Sequence, residues 1–133
     1  MPVYGKPVPK GSTSSFLHSK TKKIITRQQN ADSLYGWQGK IAYGARKEFN
    51  KPVDGAVSLR IIFFLKHPKY LKHAVDHVKR PDIDKLARAI MDALTGIVYI
   101  DDSQVNNLLV SKDYDFDKPE GCDIEIRYMR EWR

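Results

Sequence analysis

The sequence predicts a small α+β domain that spans residues 1–133. Two segments, residues 31–49 and 82–94, place apolar side chains at the spacing of one helix face, whereas residues 56–65 and 122–129 alternate apolar and polar side chains as strands do. The length of 133 residues is that of one ordinary domain. A chain of this size buries roughly two thirds of its unfolded surface, which is enough for a core without disulfides.

The first half of the chain predicts an extended lead, a polar region and one helix. Residues 3–8 favour a short strand, but the prolines around it restrict it to a sheet edge or an extended lead-in. Residues 11–15 predict a flexible loop, and residues 19–30 are a polar, lysine-bearing stretch. The helix predicted at residues 31–49 is indicated by apolar side chains at helical spacing: Leu34, Trp37, Ile41, Ala45 and Phe49.

The second half predicts strands around a second helix. Residues 56–65 form the clearest strand, because every second side chain is apolar. The helix at residues 82–94 keeps large aliphatic side chains one turn apart and ends at Thr95-Gly96. A polar loop rich in Lys and His is expected at residues 66–79, and further strands at residues 97–100, 104–114 and 122–129.

Charge is distributed unevenly along the chain, which carries a net charge of +7. Residues 1–81 hold 16 basic and 4 acidic side chains, whereas residues 82–117 hold 3 basic and 8 acidic ones. Such asymmetry favours a nucleic-acid partner. The alternative is a solvated basic surface without a special partner.

Composition also predicts a cellular compartment. The longest purely apolar run, residues 61–65, is far shorter than the roughly 20 residues of a membrane span. The N-terminus lacks the apolar segment of a signal peptide, and Cys122 is the single cysteine. We therefore expect a cytoplasmic protein without a membrane partner.

Five aspartates cluster within residues 80–105: Asp82, Asp84, Asp92, Asp101 and Asp102. The helix predicted at residues 82–94 rises by roughly 16 Å after its start, and the strand at residues 97–100 with the following aspartates spans roughly 20 Å. If that strand packs back along the helix, the Asp101-Asp102 pair returns beside Asp82 and Asp84. Adjacent strand residues point to opposite faces, so one member of the pair reaches the site.

A carboxylate cluster predicts a site for a divalent metal ion, because carboxylates that repel one another are stabilised by a cation. Oxygen ligands favour Mg²⁺, with Mn²⁺ as a substitute. A water on such an ion is a nucleophile for phosphodiester hydrolysis.

Each aspartate also has an ordinary structural interpretation. Asp82 or Asp84 can cap the helix, and the Asp101-Asp102 pair is typical of a turn. Asp92 lies one turn beyond Arg88 and is expected to be its ion-pair partner.

The basic loop that leads into the acidic helix predicts a surface for DNA phosphates. Its predicted phosphate contacts, with two from the N-terminal lead, are Lys66, Lys69, Lys72, Lys79, Arg80, Lys6 and Lys10. Three histidines also lie in or beside this loop: His67, His73 and His77. They lack the cysteine partners and close spacing of a zinc site, which favours structural or phosphate-contacting roles.

Residues 80–105 closely resemble the core motif of the RusA family of Holliday-junction endonucleases. That motif runs basic–Pro–Asp–x–Asp–Asn–Leu, then Asp-Ala-Leu on a helix, then Asp-Asp-x-Gln-Val. The chain has RPDIDKL at residues 80–86, DAL at residues 92–94 and DDSQV at residues 101–105. The opening GKPVPKG, residues 5–11, is also similar to the family's N-terminal lead.

The resemblance implies an α+β homodimer, with a small mixed sheet packed against two main helices, that nicks four-way DNA junctions with Mg²⁺. The family's catalytic, metal-binding aspartates fall on Asp82, Asp84 and Asp102. Its catalytic lysine falls on Arg88, and its usual asparagine falls on Lys85, which adds a further cation for DNA. Arginine can clamp a phosphate but is a poor proton donor or acceptor.

Two functions therefore stay open at this point. The first is a Mg²⁺-dependent, structure-selective endonuclease of DNA recombination and repair. The second is a nucleic-acid-binding module of the same fold with weakened catalysis, which the two replacements favour. Retention of all three motif aspartates favours the first. Another metal-dependent phosphohydrolase is a third, generic possibility.

Overall fold

The computed structural model describes residues 1–11, 13–17, 24–28, 31–68, 76–115 and 117–129. Within these residues the chain forms two helices and six strands. In chain order they are β1 (Pro2–Tyr4), β2 (Thr13–Leu17), β3 (Ile24–Gln28), α1 (Ala31–Glu48), β4 (Val57–Lys66), α2 (Ile83–Leu94), β5 (Val105–Asp115) and β6 (Gly121–Tyr128).

The main sheet is mixed and has the strand order β1-β6-β4-β5. β4 lies inside the sheet, antiparallel to β6 and parallel to β5. The alternation in its sequence has the expected result: Val57, Leu59, Ile61 and Phe63 are fully buried, and the residues between them are not. One face of the sheet therefore carries the core, whereas on the other face of β4 Ser58, Ile62 and Phe64 are half-buried and Arg60 is exposed.

Both helices pack on the buried face of this sheet. α1 contributes Leu34, Trp37, Ile41 and Ala45, which recur at helical spacing and share one core with the strands. α2 contributes a second stripe: Leu86, Ala87, Ala89, Ile90 and Leu94. The α+β class, with a small mixed sheet against two main helices, is confirmed. None of the helices that the structure describes is long and apolar enough to cross a membrane.

Three local predictions were wrong. Thr13–Leu17 and Ile24–Gln28 pair as a separate two-stranded antiparallel sheet, where a loop and a polar stretch were expected. The strand expected at residues 3–8 is confined to Pro2–Tyr4. Residues 97–100 form a tight turn with a single bridging residue, Tyr99, and not a strand.

Candidate active site

The start of α2 presents two acidic side chains to solvent. Asp82 occupies the N-cap position, yet its carboxylate accepts no capping hydrogen bond from the helix. It lies 3.5 Å from the ammonium of Lys85. Asp84, in the first turn, is exposed, and no described cation lies within ion-pair distance of its carboxylate. The simple capping interpretation of Asp82 therefore does not hold, and both carboxylates are available as ligands.

A lysine on β5 fixes the turn that delivers Asp82. The ammonium of Lys112 donates to the carbonyl oxygens of Lys79 and Pro81, at 2.6 and 2.9 Å. The peptide bond between Arg80 and Pro81 is cis. Because Lys112 holds both carbonyls on either side of Arg80, it fixes the backbone from which both Arg80 and Asp82 project. The sequence contains no local signal for this contact, which joins positions more than 30 residues apart.

The second acidic pair is built differently. The Asp101 carboxylate accepts a hydrogen bond from the backbone amide of Ser103 at 2.8 Å. In turn, the side-chain oxygen of Gln104 accepts hydrogen bonds from the backbone amides of Ile100 and Asp101. This is a capping box around the short helical turn Asp102–Gln104. The hydrogen bond from Ser103 lowers the pKa of Asp101. Asp101 is thus engaged in local structure, while Asp102 is exposed beside it.

Asp102 lies toward the end of α2 opposite to Asp82. Its neighbour Tyr99 donates from its hydroxyl to the carbonyl of Met91 at 2.7 Å, in the last turns of the helix. Tyr99 also forms a bridge with Thr95, directly after α2, so the turn that leads to Asp102 starts at this end of the helix. Burial raises the pKa of this tyrosine, and the charge of Asp102 raises it further. At the other end of the helix, Lys112 of β5 binds the turn before Asp82.

The predicted convergence of the aspartates within one chain is therefore not found. The amide of Gly96 donates to the carbonyl of Tyr99 and closes a tight turn, so the chain does not run back along α2. The helix itself is 12 residues long, which corresponds to roughly 18 Å. Among the described residues, no three His, Cys, Asp or Glu side chains are grouped so that they could hold one metal ion.

Arg88 lies one turn after Asp84 on an exposed face of α2. Its guanidinium packs on Gly11 of the N-terminal lead, at a position where a Cβ atom would collide with it. Gly11 also has a φ of +106°, which disfavours any side chain there. No described carboxylate lies within ion-pair distance of Arg88. Its charge is therefore available beside the carboxylates.

The expected partnership of Asp92 with Arg88 was wrong. The Asp92 carboxylate binds the ammonium of Lys10 at 2.8 Å and the side-chain amide of Gln38 at 3.0 Å. The backbone amide of Lys10 also donates to the carbonyl of Lys85 at 2.9 Å. Asp92 thus anchors the N-terminal lead and α1 to α2. Lys10, predicted to contact DNA, has its charge balanced by this pair.

The predicted basic surface is partly assembled beside the same turn. Lys66, Lys79 and Arg80 line one cleft together with Lys6. Lys69 and Lys72, as well as His73, lie outside the described residues. His77 is buried, and its ring lies 4.7 Å from that of Tyr114, which also contacts the ring of His67 at 5.2 Å. Burial, together with the charge of Lys112, lowers the pKa of His77, which fits a structural role.

Comparison with known proteins decides the family. The family model described as endodeoxyribonuclease RusA matches residues 5–127 of this chain. The chain belongs to the RusA family. It is also similar to the uncharacterized protein YqaN of Bacillus subtilis (strain 168), with 28% identity over 123 residues that cover 84% of each chain.

Because the chain belongs to the RusA family, the elements described above are those of an endodeoxyribonuclease family. The acidic residues of the motif lie at the two ends of α2. The side-chain amide of Gln104 donates to the carbonyls of Val53 and Gly55, at 2.9 Å each. The N-terminal lead packs against α2. Sequence reasoning missed Lys112, Gly11 and Gln38 because each acts through a contact distant in the chain.

Proposed function

We propose that this protein is a divalent-metal-dependent endonuclease that nicks four-way DNA (Holliday) junctions in recombination and repair. The observation that carries the proposal is the start of α2, where the Asp82 carboxylate accepts no capping hydrogen bond and the exposed Asp84 lies one turn before Arg88. No described carboxylate lies within ion-pair distance of Arg88. Acidic ligands for a metal beside a cation for phosphate are what phosphodiester hydrolysis requires. Membership of an endodeoxyribonuclease family supports DNA as the substrate.

Nicking of a synthetic four-way junction tests this proposal. We expect nicks in the junction with Mg²⁺, none with EDTA, and little cutting of a linear duplex with the same arm sequences. Equal cutting of the duplex would contradict structure selectivity. Cutting that persists in EDTA would contradict the metal requirement.

The donor set fits a hard divalent cation. Asp82, Asp84 and Asp102 offer carboxylate oxygens, which suit Mg²⁺ and, as a substitute, Mn²⁺. Such an ion supplies an activated water and neutralises charge on the phosphate. Asp82 fits this role because no helix amide uses its carboxylate. The Lys85 ammonium, 3.5 Å from Asp82, balances one negative charge and remains available to DNA.

Arg88 is proposed as the catalytic residue that contacts the scissile phosphate. A guanidinium can hold two phosphate oxygens at once and stabilise the charge that develops during cleavage. Its guanidinium lies beside Gly11, in the space that a side chain at that position would occupy. Because arginine stays protonated, it does not relay protons in this site.

The proposed DNA surface is the predicted one, and its binding should weaken steeply with salt. We assign phosphate contacts to the predicted set of cations: Lys66, Lys69, Lys72, Lys79, Arg80, Lys85 and Lys10. Lys69 and Lys72 belong to this set by sequence alone, and Lys10 would exchange its ion pair with Asp92 for a phosphate. The logarithm of the association constant should fall by roughly 0.9 per phosphate contact for each unit of log salt. An affinity that does not respond to salt would contradict this surface.

A homodimer completes the site in this proposal. Because Asp102 lies toward the far end of α2 within one chain, a second copy is needed to bring it beside Asp82 and Asp84. A two-fold dimer also provides two equivalent sites for the two strands that are cut in a junction. Sedimentation should show a dimer at micromolar concentration, and a species of 15.3 kDa with and without DNA would contradict it.

Two surfaces come into question for the contact between copies: the edge strand β5 and the face of α2 around Leu86. β5 is an edge strand, and its Leu108 and Leu109 are 42% and 60% exposed. The helix face around Leu86 is fully buried and belongs to the core. We therefore propose β5 as part of the contact between copies.

A DNA-binding module with weakened catalysis is the second candidate. The replacement of the family lysine by Arg88 favours it, together with the lack of a three-carboxylate group in the described part of one chain. Arg88→Lys distinguishes the two functions. A faster rate in this variant would favour the second candidate, and a slower rate would favour the first.

A further inference from the structure

A cleft lies on the other side of the turn that carries Asp82. It is bounded by the N-terminal lead, the end of β4 and the turn before α2, and its volume is ≈ 240 Å³. Small-molecule pockets start at about 300 Å³. The cleft is therefore sized for a fragment of a larger ligand and not for a whole cofactor.

The rim of the cleft is strongly cationic. Four cations line it, Lys6, Lys66, Lys79 and Arg80, against one carboxylate, that of Glu120. No described carboxylate lies within ion-pair distance of Lys6, Lys66 or Arg80. Uncompensated cations held close together repel one another, so an anion between them is stabilised. The rim therefore suits a phosphate.

The floor of the cleft is uncharged. Pro7 and Leu65 are buried beneath it, and Tyr114 and His77 complete it. His77 is 8% exposed, and its Nδ1 has no hydrogen-bond partner among the described residues. An uncharged floor beneath a cationic rim matches a deoxyribose with its phosphate.

The position of the cleft links it to the cleavage site. Arg80 and Pro81 line the cleft and directly precede Asp82 in the chain. Two residues span at most about 7 Å. A phosphate in the cleft would therefore belong to the same stretch of DNA strand as a phosphate at Asp82.

We propose that this cleft binds one backbone phosphate of the DNA, with its deoxyribose, next to the phosphate that is cleaved. The inference rests on the proposed function for the identity of the strand, and it adds a defined subsite for a single phosphate. Lys112 is a positioning residue for both sites, because it fixes the turn between them.

The test removes one phosphate charge and one protein charge, separately and together. Junctions carry a single neutral methylphosphonate at successive positions around the cut, and their binding is measured with the Asp84→Asn variant in Ca²⁺. One position should weaken binding about tenfold, as loss of a charged hydrogen bond does. With Lys66→Met added, the same methylphosphonate should cause a smaller loss, because one of the cations that contact this phosphate is already absent.

Lys47→Met is the matched control. Lys47 is an exposed lysine in the last turn of α1. α1 ends near Tyr128, which pairs with the first residue of β4. Lys66 is the last residue of β4, so the two lysines lie toward opposite ends of this strand. With Lys47→Met the methylphosphonate effect should remain in full. An equal effect in the Lys66→Met and Lys47→Met backgrounds at every position would overturn the proposal.

Two further outcomes separate the subsite from the proposed function and from a site for free anions. Coupling at one phosphate without any Mg²⁺-dependent nicking would keep the subsite and refute the nuclease. Nicking without coupling would keep the nuclease and refute the subsite. If inorganic phosphate shifts the His77 proton resonances while no position couples to Lys66, the cleft is a free-anion site, and the proposal is wrong.

Discussion

The two acidic turns at the ends of α2 have similar composition and different uses of their carboxylates. At Asp101 the side chain caps its own helical turn, with Gln104 completing the capping box. At Asp82 the side chain occupies the same capping position and accepts no such bond. An N-cap carboxylate that accepts no hydrogen bond from its helix forgoes a stabilising contact. The comparison therefore supports the proposal that Asp82 serves a ligand, whereas Asp101 stabilises its own turn.

The largest effect on nicking should follow from removing the charge of the two carboxylates at the start of α2. Asp82→Asn and Asp84→Asn should each reduce junction nicking below detection, because each change removes an anionic metal ligand. Junction affinity should stay near that of the wild type, since the basic surface is unchanged. Mg²⁺-dependent nicking by both variants would contradict the assignment, and Asp101→Asn serves as the acidic control that keeps activity.

Arg88→Ala should have the next largest effect. A charge-stabilising group that contacts the transition state contributes roughly 10²–10³ to the rate, and junction affinity should change little. Single-turnover nicking and binding measured on the same junction check this. If both stay near wild type, Arg88 serves only to pack against Gly11.

Lys112→Met should reduce the rate by about tenfold, in line with a positioning effect. The variant frees the carbonyls of Lys79 and Pro81, so the turn before Asp82 loses its fixed geometry. A positioning role predicts a higher Mg²⁺ concentration for half-maximal nicking, which a change in stability alone would not cause. Lys118→Met, a lysine placed over the Phe64 ring, should leave this concentration unchanged.

The smallest expected effect is on stability, from replacing Asp101, whose carboxylate caps its own helical turn. The folded-state pKa of Asp101 lies below its ordinary 3.8, so its contribution to stability is present above that pH and is lost as pH falls through the lowered value. Asp101→Asn should therefore lower the melting temperature slightly at pH 7, and the difference should vanish in acid. A difference that persists at pH 2 would show that the carboxylate charge is not its cause.

Local patterns predicted most of the fold but not the placement of Asp102. β4 and α2 could be read from side-chain periodicity because their buried faces are set by neighbouring residues. Residues 97–100 were too short for such a signal, and Gly96, at φ +87°, turns the chain tightly instead of starting a strand. The path after Gly96 decides where the second acidic pair lies.

Contacts between distant segments were also beyond the sequence. Lys10 and Asp92 pair across the whole first half of the chain, and Lys112 reaches back to Pro81. The sequences of β2 and β3, TSSFL and IITRQ, do not alternate apolar and polar residues, so their backbone pairing could not be predicted. The motif, by contrast, identified the family because it needs only the order of residues.

The central claim, that Asp102 of one copy serves the Asp82 and Asp84 of another, is tested most directly by mixing two inactive variants. Asp84→Asn and Asp102→Asn protein are combined under conditions that exchange subunits, and junction nicking is measured before and after. A shared site predicts that mixed dimers regain one intact site, which gives about a quarter of the wild-type number of sites in an equal mixture. If mixing restores no nicking while subunit exchange is demonstrated, the site lies within one chain and the account is wrong.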